Sequence, residues 1–191
     1  MKIVLTGGML LMASLIFAQK DMDTTLPYYE LPQASQTYTA GTVAARMVDG
    51  LGFRYYWATE GLTEADLTYS PSTEVRSTGE TIDHILNLSY VVLDATFKQP
   101  NTKRDFSMSS FEEKRKQTLL NLKQTADILR ASNDLSDYKI VFGENEFPFW
   151  NAINGPLADA IWHAGQIASF RRSSGNPINS NISQFNGIVK Q

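Results

Sequence analysis

Two histidines and one aspartate are the residues whose types and spacing best suit metal chemistry. Asp159 and His163 are four residues apart in an apolar, helical pattern, so their side chains point to the same side of a helix. His84, the other histidine of the chain, lies in a second helical pattern. Two imidazoles and a carboxylate suit Zn, Ni, Fe or Mn and leave coordination positions for water and substrate. We therefore predict a divalent metal site at these three residues.

Each candidate ligand has to be weighed against a simpler role. His84 shares a helix face with Leu88 and other apolar residues, so it could instead be a core histidine whose hydrogen bonds are satisfied by its neighbours. An aspartate on an apolar face is costly to bury alone, and a bound cation would compensate that cost. Glu80 precedes His84 by four residues and is a candidate for a further ligand. However, residues 77–80 fit a capping box, which explains Glu80 more simply.

Other residues near these ligands allow two interpretations. Gln166 follows on the same face and could orient a ligand through its amide, or it could be an ordinary exposed residue. Arg171 and Arg172 end the helix, where cations interact favourably with the helix dipole, and they could instead recognise an acidic substrate. The aromatic residues are expected to pack in the core or at its rim: Tyr55, Tyr56, Trp57, Trp150 and Trp162. The chain has no motif of a serine hydrolase, a nucleotide-binding loop or a zincin.

Four stretches with a helical spacing of apolar residues must position these side chains. They are residues 40–61, 79–98, 108–131 and 156–174. Four amphipathic helices, without a strand-rich segment or an internal repeat, predict an all-α fold, a four-helix bundle with long loops between its helices. The pattern leaves the order of packing open.

The segments between the helices carry local signals of their own. Residues 63–66 predict a turn. Residues 138–142 form a β-branched and aromatic run that predicts a strand-like arm. Gly155 and Pro156 predict the start of the last helix, with the proline at its first position.

Composition and the N-terminus narrow the class of protein. The chain has 191 residues, a net charge of −3 and no cysteine, which indicates one globular domain without disulfides, thiolate metal sites or an electrostatic nucleic-acid surface. Residues 1–18 combine a basic start with an apolar stretch too short to span a bilayer, and they predict a signal peptide, cleaved after Ala18. The mature protein is therefore expected in the periplasm or secreted, without a stable membrane anchor. Residues 19–39 are expected to be an extended lead-in and residues 179–191 a C-terminal tail.

Two stretches resemble the DinB-like (damage-inducible, YfiT-like) family. The first is Thr-Gly-Glu-Thr-Ile-Asp-His-Ile at residues 78–85. The second is Trp-His-Ala-Gly-Gln-Ile at residues 162–167, continued by Phe-Arg-Arg at 170–172 and Gly-Asn-Pro at 175–177. The resemblance covers roughly residues 40–178. It implies a four-helix bundle that binds a divalent metal through one histidine of the second helix and two of the fourth, spaced H-x-x-x-H.

The resemblance transfers the metal ligands residue by residue. His84 matches the first family histidine and His163 the last, whereas Asp159 stands where the family usually has a histidine. An aspartate can ligate Zn or Ni, so the site is either retained with altered affinity or lost in this branch. Family members are described as metal-dependent enzymes, and some relatives transfer low-molecular-weight thiols or isomerise thiol adducts.

Two functions are compatible with these features. The first is an exported, metal-dependent hydrolase or transferase that acts on a small molecule through a metal-activated nucleophile. Because the thiol cosubstrates of relatives are cytosolic, hydrolysis is the more specific expectation. The second is a non-catalytic bundle that binds a small ligand or a protein partner, which is favoured by the lack of a general base beyond the candidate ligands. Either function allows a homodimer through exposed helix faces, and neither involves nucleic acid.

Overall fold

A computed structural model describes residues 26–190, so the predicted signal peptide and the first part of the lead-in lie outside the described residues. The helices are α1 (Ala40–Thr59), α2 (Glu64–Thr68), α3 (Thr78–Thr96), α4 (Phe111–Arg130), α5 (Phe149–Ala152) and α6 (Ala158–Ser173), with a π-helical turn at Ile153–Leu157. Two antiparallel hairpins pair β1 (Ile140–Phe142) with β2 (Asn145–Phe147) and β3 (Ile182–Ser183) with β4 (Ile188–Val189). None of these helices is long and apolar enough to cross a membrane.

The first residues of α1, α3 and α4 are held by side-chain caps. At α3, the Ser77 hydroxyl accepts from the N–H of Glu80 (3.2 Å), and the Ser77 N–H donates to the Glu80 carboxylate (2.8 Å). The predicted capping box is thus confirmed. Thr39 and Ser110 cap α1 and α4 in the same way. Because these signals are local, α1, α3 and α4 begin and end close to the predicted bounds.

The described chain is mostly helical, as predicted, and its long helices pack in pairs. α1 lies against α4 and α6, and α3 lies against the same two helices. Lys114 and Asn121 of α4 contact Asp83 and Ser89 of α3. Since both pairs follow the same order along the chain, α3 and α4 run parallel, and this direction requires the long crossover of residues 97–110.

The start of α1 approaches the end of α4 at Gly41. A Cβ atom added to this glycine would lie 1.9 Å from the carbonyl oxygen of Ser132, so only glycine allows the two backbones to come this close. The contact makes α1 and α4 antiparallel. The core between the helices contains the largest fully buried side chains, among them Leu51, Phe53, Tyr55, Ile82, Ile85, Leu119, Leu122 and Ile167.

The segment that precedes α1 is attached to the bundle through Tyr28. Its ring covers Gly52, where a Cβ atom would lie 2.4 Å from the ring carbons. Its hydroxyl donates to Asp49 Oδ1 (3.3 Å), and Asp49 also accepts from Arg130 (2.5 Å). Burial raises the pKa of the Tyr28 hydroxyl, which keeps it protonated as a donor. The buried aspartate therefore joins the lead-in to both α1 and α4.

Two local predictions are wrong, and one is confirmed over a shorter range. Residues 63–66 do not form a simple turn, because Thr63 caps α2, which begins at Glu64. Pro156 does not begin a helix, because the helical backbone already begins at Phe149 and passes through the π-helical turn that contains the proline. Proline has no N–H to donate, and the wider turn accommodates it. The predicted strand-like arm is present as β1.

Asp66→Asn is expected to destabilise the protein by about 1 to 3 kcal/mol at pH 7. Burial would raise the pKa of this carboxylate, but hydrogen bonds from Ser174, Asn176 and Thr63 outweigh burial and hold the pKa well below its usual range. The stabilisation is therefore complete above about pH 4, the pKa of an unfolded aspartate, and is lost as the pH falls towards the folded pKa. Urea denaturation of parent and variant should show a difference that narrows below pH 4.

Asp137→Asn is the matched control for this measurement. Asp137 is exposed and pairs with Lys98 at 2.7 Å, and an exposed ion pair contributes little to stability. An equal loss of stability in both variants, or a pH-independent loss in Asp66→Asn, would contradict the role assigned to Asp66.

Candidate metal centre

The predicted metal ligands meet between α3 and α6. His84 lies in the first half of α3, and Asp159 and His163 lie one turn apart at the start of α6. Asp159 Oδ2 is 2.9 Å from His84 Nε2, and Asp159 Oδ1 is 3.3 Å from His163 Nε2. The two imidazole rings meet edge to face, with 4.8 Å between their centroids. The aspartate thus lies between the histidines, with one carboxylate oxygen directed to each.

The spacing and chemistry of these donor atoms suit a metal ion. One ligand atom from each residue can be chosen so that all three lie within 4.8 Å of one another. Ligands that bind one ion at about 2.0 to 2.2 Å are separated by about 3 to 3.5 Å. The two contacts of the carboxylate are already close to that range. His84, Asp159 and His163 could therefore hold a metal ion, as the sequence predicts.

Gln166 fixes the orientation of His163. Its Oε1 lies 2.8 Å from His163 Nδ1, and with this oxygen as the acceptor the ring proton is on Nδ1. A neutral ring of this tautomer presents a lone pair at Nε2, the atom that faces the Asp159 carboxylate. A metal ion between these two atoms, which lie 3.3 Å apart, would be attracted by both of them. Hydrogen bonds of this kind also orient histidines in metal sites.

The candidate centre is accessible to small molecules. The side chains of His84, Asp159 and His163 are 27%, 38% and 17% exposed. A cavity of about 410 Å³ opens beside Asp159, and its other lining residues are Leu88, Asn154, Gly155, Pro156, Ala158 and Trp162. Of the three candidate ligands, Asp159 lines this cavity, so a small molecule in the cavity would approach the centre from the side of the aspartate.

The other carboxylates on the first turns of α3 are engaged elsewhere. Glu80 is bound to the N–H of Ser77 in the cap and is not part of the ligand cluster. Asp83 pairs with Lys114 at 2.8 Å. The structure therefore supports the simpler of the two roles considered for Glu80.

Arg171 has a structural role. Its side chain is buried, and Nη1 donates to the carbonyl oxygens of Trp57 (3.0 Å) and Glu60 (2.9 Å) at the end of α1. It is thus occupied by backbone rather than directed at a substrate. Arg172 is exposed and lines a separate cavity with Arg54.

The aromatic residues divide into two groups. Tyr55 and Trp57 are buried, as expected, and Tyr56 packs against Trp57 with 5.0 Å between ring centroids. Trp150 and Trp162 are 74% and 77% exposed. These two tryptophans lie at the surface, and each lines a cavity.

The π-helical turn is the feature of the site that the sequence analysis missed. It ends at Leu157, directly before the helix that carries Asp159. Such turns insert an extra residue into a helix and occur frequently at functional sites. The available signal was a Gly155-Pro156 pair inside a segment whose flanks both have apolar helical spacing. Asn154 of this turn lines the cavity beside Asp159.

Glu80→Ala is expected to lower the stability by about 1 kcal/mol and to leave metal affinity unchanged, because it removes one of the two cap hydrogen bonds but no ligand. Urea denaturation measures the first effect and calorimetric titration with zinc the second. Glu80→Gln is the control, since its amide oxygen can still accept from the Ser77 N–H. A drop in zinc affinity in Glu80→Ala would contradict this assignment and make Glu80 a ligand.

Comparisons with protein-family models, with curated proteins and with solved structures found no match to this chain. The DinB-like resemblance therefore depends on the residues quoted for it. The cluster of His84, Asp159 and His163 is the structural observation on which a function can be based.

Proposed function

We propose that this chain is an exported DinB-like protein that binds one divalent metal ion and uses it to act on a small molecule as a hydrolase or transferase. The convergence of His84, Asp159 and His163 on one point, with each contact of the carboxylate at 3.3 Å or less, is the observation that supports this proposal. In this assignment α1, α3, α4 and α6 are the four helices of the family's bundle. The ion is Zn, Ni, Fe or Mn.

The residues of the centre have separate tasks. His84 and His163 supply neutral nitrogen ligands, and Asp159 supplies the negative charge that favours a cation over a neutral molecule. Gln166 holds a proton on Nδ1 of His163 and thereby keeps Nε2 free to bind. A divalent ion bound there would lower the pKa of a coordinated water towards neutrality and polarise an adjacent carbonyl or phosphoryl group. Trp162 offers an exposed apolar surface beside Asp159 for the rest of the substrate.

Hydrolysis is the more specific form of this proposal. The chain contains no cysteine, so it cannot supply a thiol of its own. The thiol cosubstrates of the family's transferases are cytosolic, whereas residues 1–18 predict export. Water is the nucleophile available in either the periplasm or the extracellular medium.

A second candidate is a non-catalytic bundle that binds a small ligand or a protein partner. It is favoured by the engagement of Glu80 in the helix cap and of Asp83 with Lys114. Along the start of α3 these carboxylates are not available as general bases. Under this alternative the metal has a structural or ligand-binding role.

Zinc or nickel at about a hundredfold excess over Kd is expected to raise the melting temperature of the metal-free protein by about 5 to 10 °C. The increase should be absent in His84→Ala, Asp159→Ala and His163→Ala, because each lacks one ligand. Asp137→Ala, at an exposed aspartate that pairs with Lys98, should retain it. Elemental analysis of protein purified without chelators or a histidine tag should find about one ion per chain.

Activity assays distinguish the two candidates. The metal-loaded protein should hydrolyse one of a panel of small esters, phosphate esters and amides, and turnover should be lost in Asp159→Ala. Stoichiometric metal without turnover, either on this panel or on pairs of thiols and electrophiles, would instead favour the non-catalytic candidate. Melting curves that do not respond to metal in the parent would contradict both forms of metal binding.

Gln166→Leu is expected to lower metal affinity by about 10- to 100-fold, because the His163 ring loses the acceptor that fixes its tautomer. Gln166→Glu should recover most of the affinity, since a carboxylate also accepts from Nδ1. Competition with a chromogenic zinc chelator measures both variants against the parent. Equal affinity in all three proteins would show that Gln166 does not orient the ligand.

A further inference from the structure

A cavity of about 630 Å³ lies at the start of α1, and none of the three metal ligands lines it. Ala44 and Phe149 form its floor and are 3% and 6% exposed. Small-molecule sites have volumes of about 300 to 1,000 Å³ and mostly apolar walls. The other apolar lining residues include Val43, Met47, Leu135, Trp150 and Ile153.

The concave shape is a consequence of small residues on one face of α1. Ala40 lies three and four residues before Val43 and Ala44, and Met47 lies four and three residues after them, so the four residues form one stripe along the helix. The short side chains of the alanines leave this stripe recessed opposite the ring of Phe149. Val43 is 48% exposed, so the apolar stripe is left partly uncovered by the rest of residues 26–190.

Three polar residues at the cavity, Thr39, Asp134 and Ser136, are engaged with neighbouring groups. Asp134 accepts from the N–H of Ser136 (2.9 Å) and from its hydroxyl (2.8 Å). Thr39 is engaged in the cap of α1. The walls therefore suit the apolar part of a ligand rather than its charged part.

A smaller cavity of about 380 Å³ adjoins the first and shares Tyr38, Val43 and Met47 with it. Its lining also includes Arg130 and Arg46. Arg130 is neutralised by Asp49 at 2.5 Å. Arg46 is exposed and donates to the carbonyl oxygen of Pro32 (2.8 Å). Within residues 26–190, no carboxylate lies within ion-pair distance of Arg46.

We propose that the two cavities form one trough, which binds a small amphiphile with an aliphatic chain and a single carboxylate. The chain would lie along Val43 and Met47 against Phe149 and Trp150, where burial of apolar surface favours binding. The carboxylate would lie at Arg46, whose guanidinium presents N–H donors that match two carboxylate oxygens. This site is separate from the metal centre and does not depend on it.

Calorimetric titration with decanoate, below its micellar concentration, tests the proposal directly. Saturable binding of one decanoate per chain is expected, accompanied by a blue shift of Trp150 fluorescence as the indole becomes covered. Decan-1-ol and decyltrimethylammonium have the same aliphatic chain without the negative charge. Each should bind at least about fivefold more weakly than decanoate.

Two variants separate the roles of charge and cavity. Arg46→Gln should weaken decanoate binding by about fivefold and leave decan-1-ol binding unchanged. Ala40→Trp should abolish binding of both, because Ala40 is exposed and a large side chain there occupies the cavity without entering the core. Arg76→Gln, at an exposed arginine that lines neither cavity, is the matched control and should bind as the parent does. Melting curves establish that each variant is folded.

Three results would overturn the proposal. The first is non-saturable uptake of decanoate, which indicates detergent-like adsorption. The second is decanoate binding that is unchanged in both Arg46→Gln and Ala40→Trp. The third is a dimer, measured by light scattering, that dissociates in Val43→Asp, because the occupant of the trough would then be a second copy of the chain.

Discussion

The buried guanidinium of Arg171 fixes the position of α6, and the candidate metal centre depends on that position. Its Nη1 donates to carbonyl oxygens of Trp57 and Glu60 at the end of α1, where helical carbonyls have no partner within the helix. A shift of α6 by one turn would leave a buried charge and these carbonyl groups unpaired, at a cost of roughly several kcal/mol. Because Asp159 and His163 lie on the same helix, their position along the axis of α1 is fixed as well.

Polar contacts also fix the position of α3, which carries His84, the third candidate ligand. Asn121 of α4 donates to the buried Ser89 hydroxyl of α3 (3.0 Å), and Arg115 of α4 donates to Thr59 at the end of α1 (3.0 Å). Apolar side chains tolerate small displacements between helices, whereas each of these hydrogen bonds exists in one register only. The positions of α3 and α6 are thus both fixed relative to α1, that of α3 through α4 and that of α6 through Arg171. These two separate sets of polar contacts bring His84 next to Asp159 and His163.

Local signals account for the parts of the fold that the sequence predicts, and distant contacts account for the rest. The cap at Ser77 and the spacing of His163 from the preceding ligand act within one helical turn, so the sequence suffices for both. Asp66 lies in α2 and not in the predicted turn. Its carboxylate accepts a hydrogen bond from the hydroxyl of Ser174, 108 residues later in the chain. Pro156 lies inside a continuous helical segment because buried residues on both sides of it belong to the core, which the local preference of proline does not reveal.

The charge of Asp159 sets this site apart from one built of three histidines. A carboxylate has two oxygens, so Asp159 contacts both imidazoles at once, at 2.9 and 3.3 Å, whereas an imidazole would present one nitrogen to the centre. It also offsets one of the two charges of a divalent cation. The negative charge of Asp159 would favour the binding of a cation. The same charge would reduce the positive field that the cation exerts on a coordinated nucleophile. An aspartate at this position would therefore exchange part of a bound metal's power to activate water for affinity.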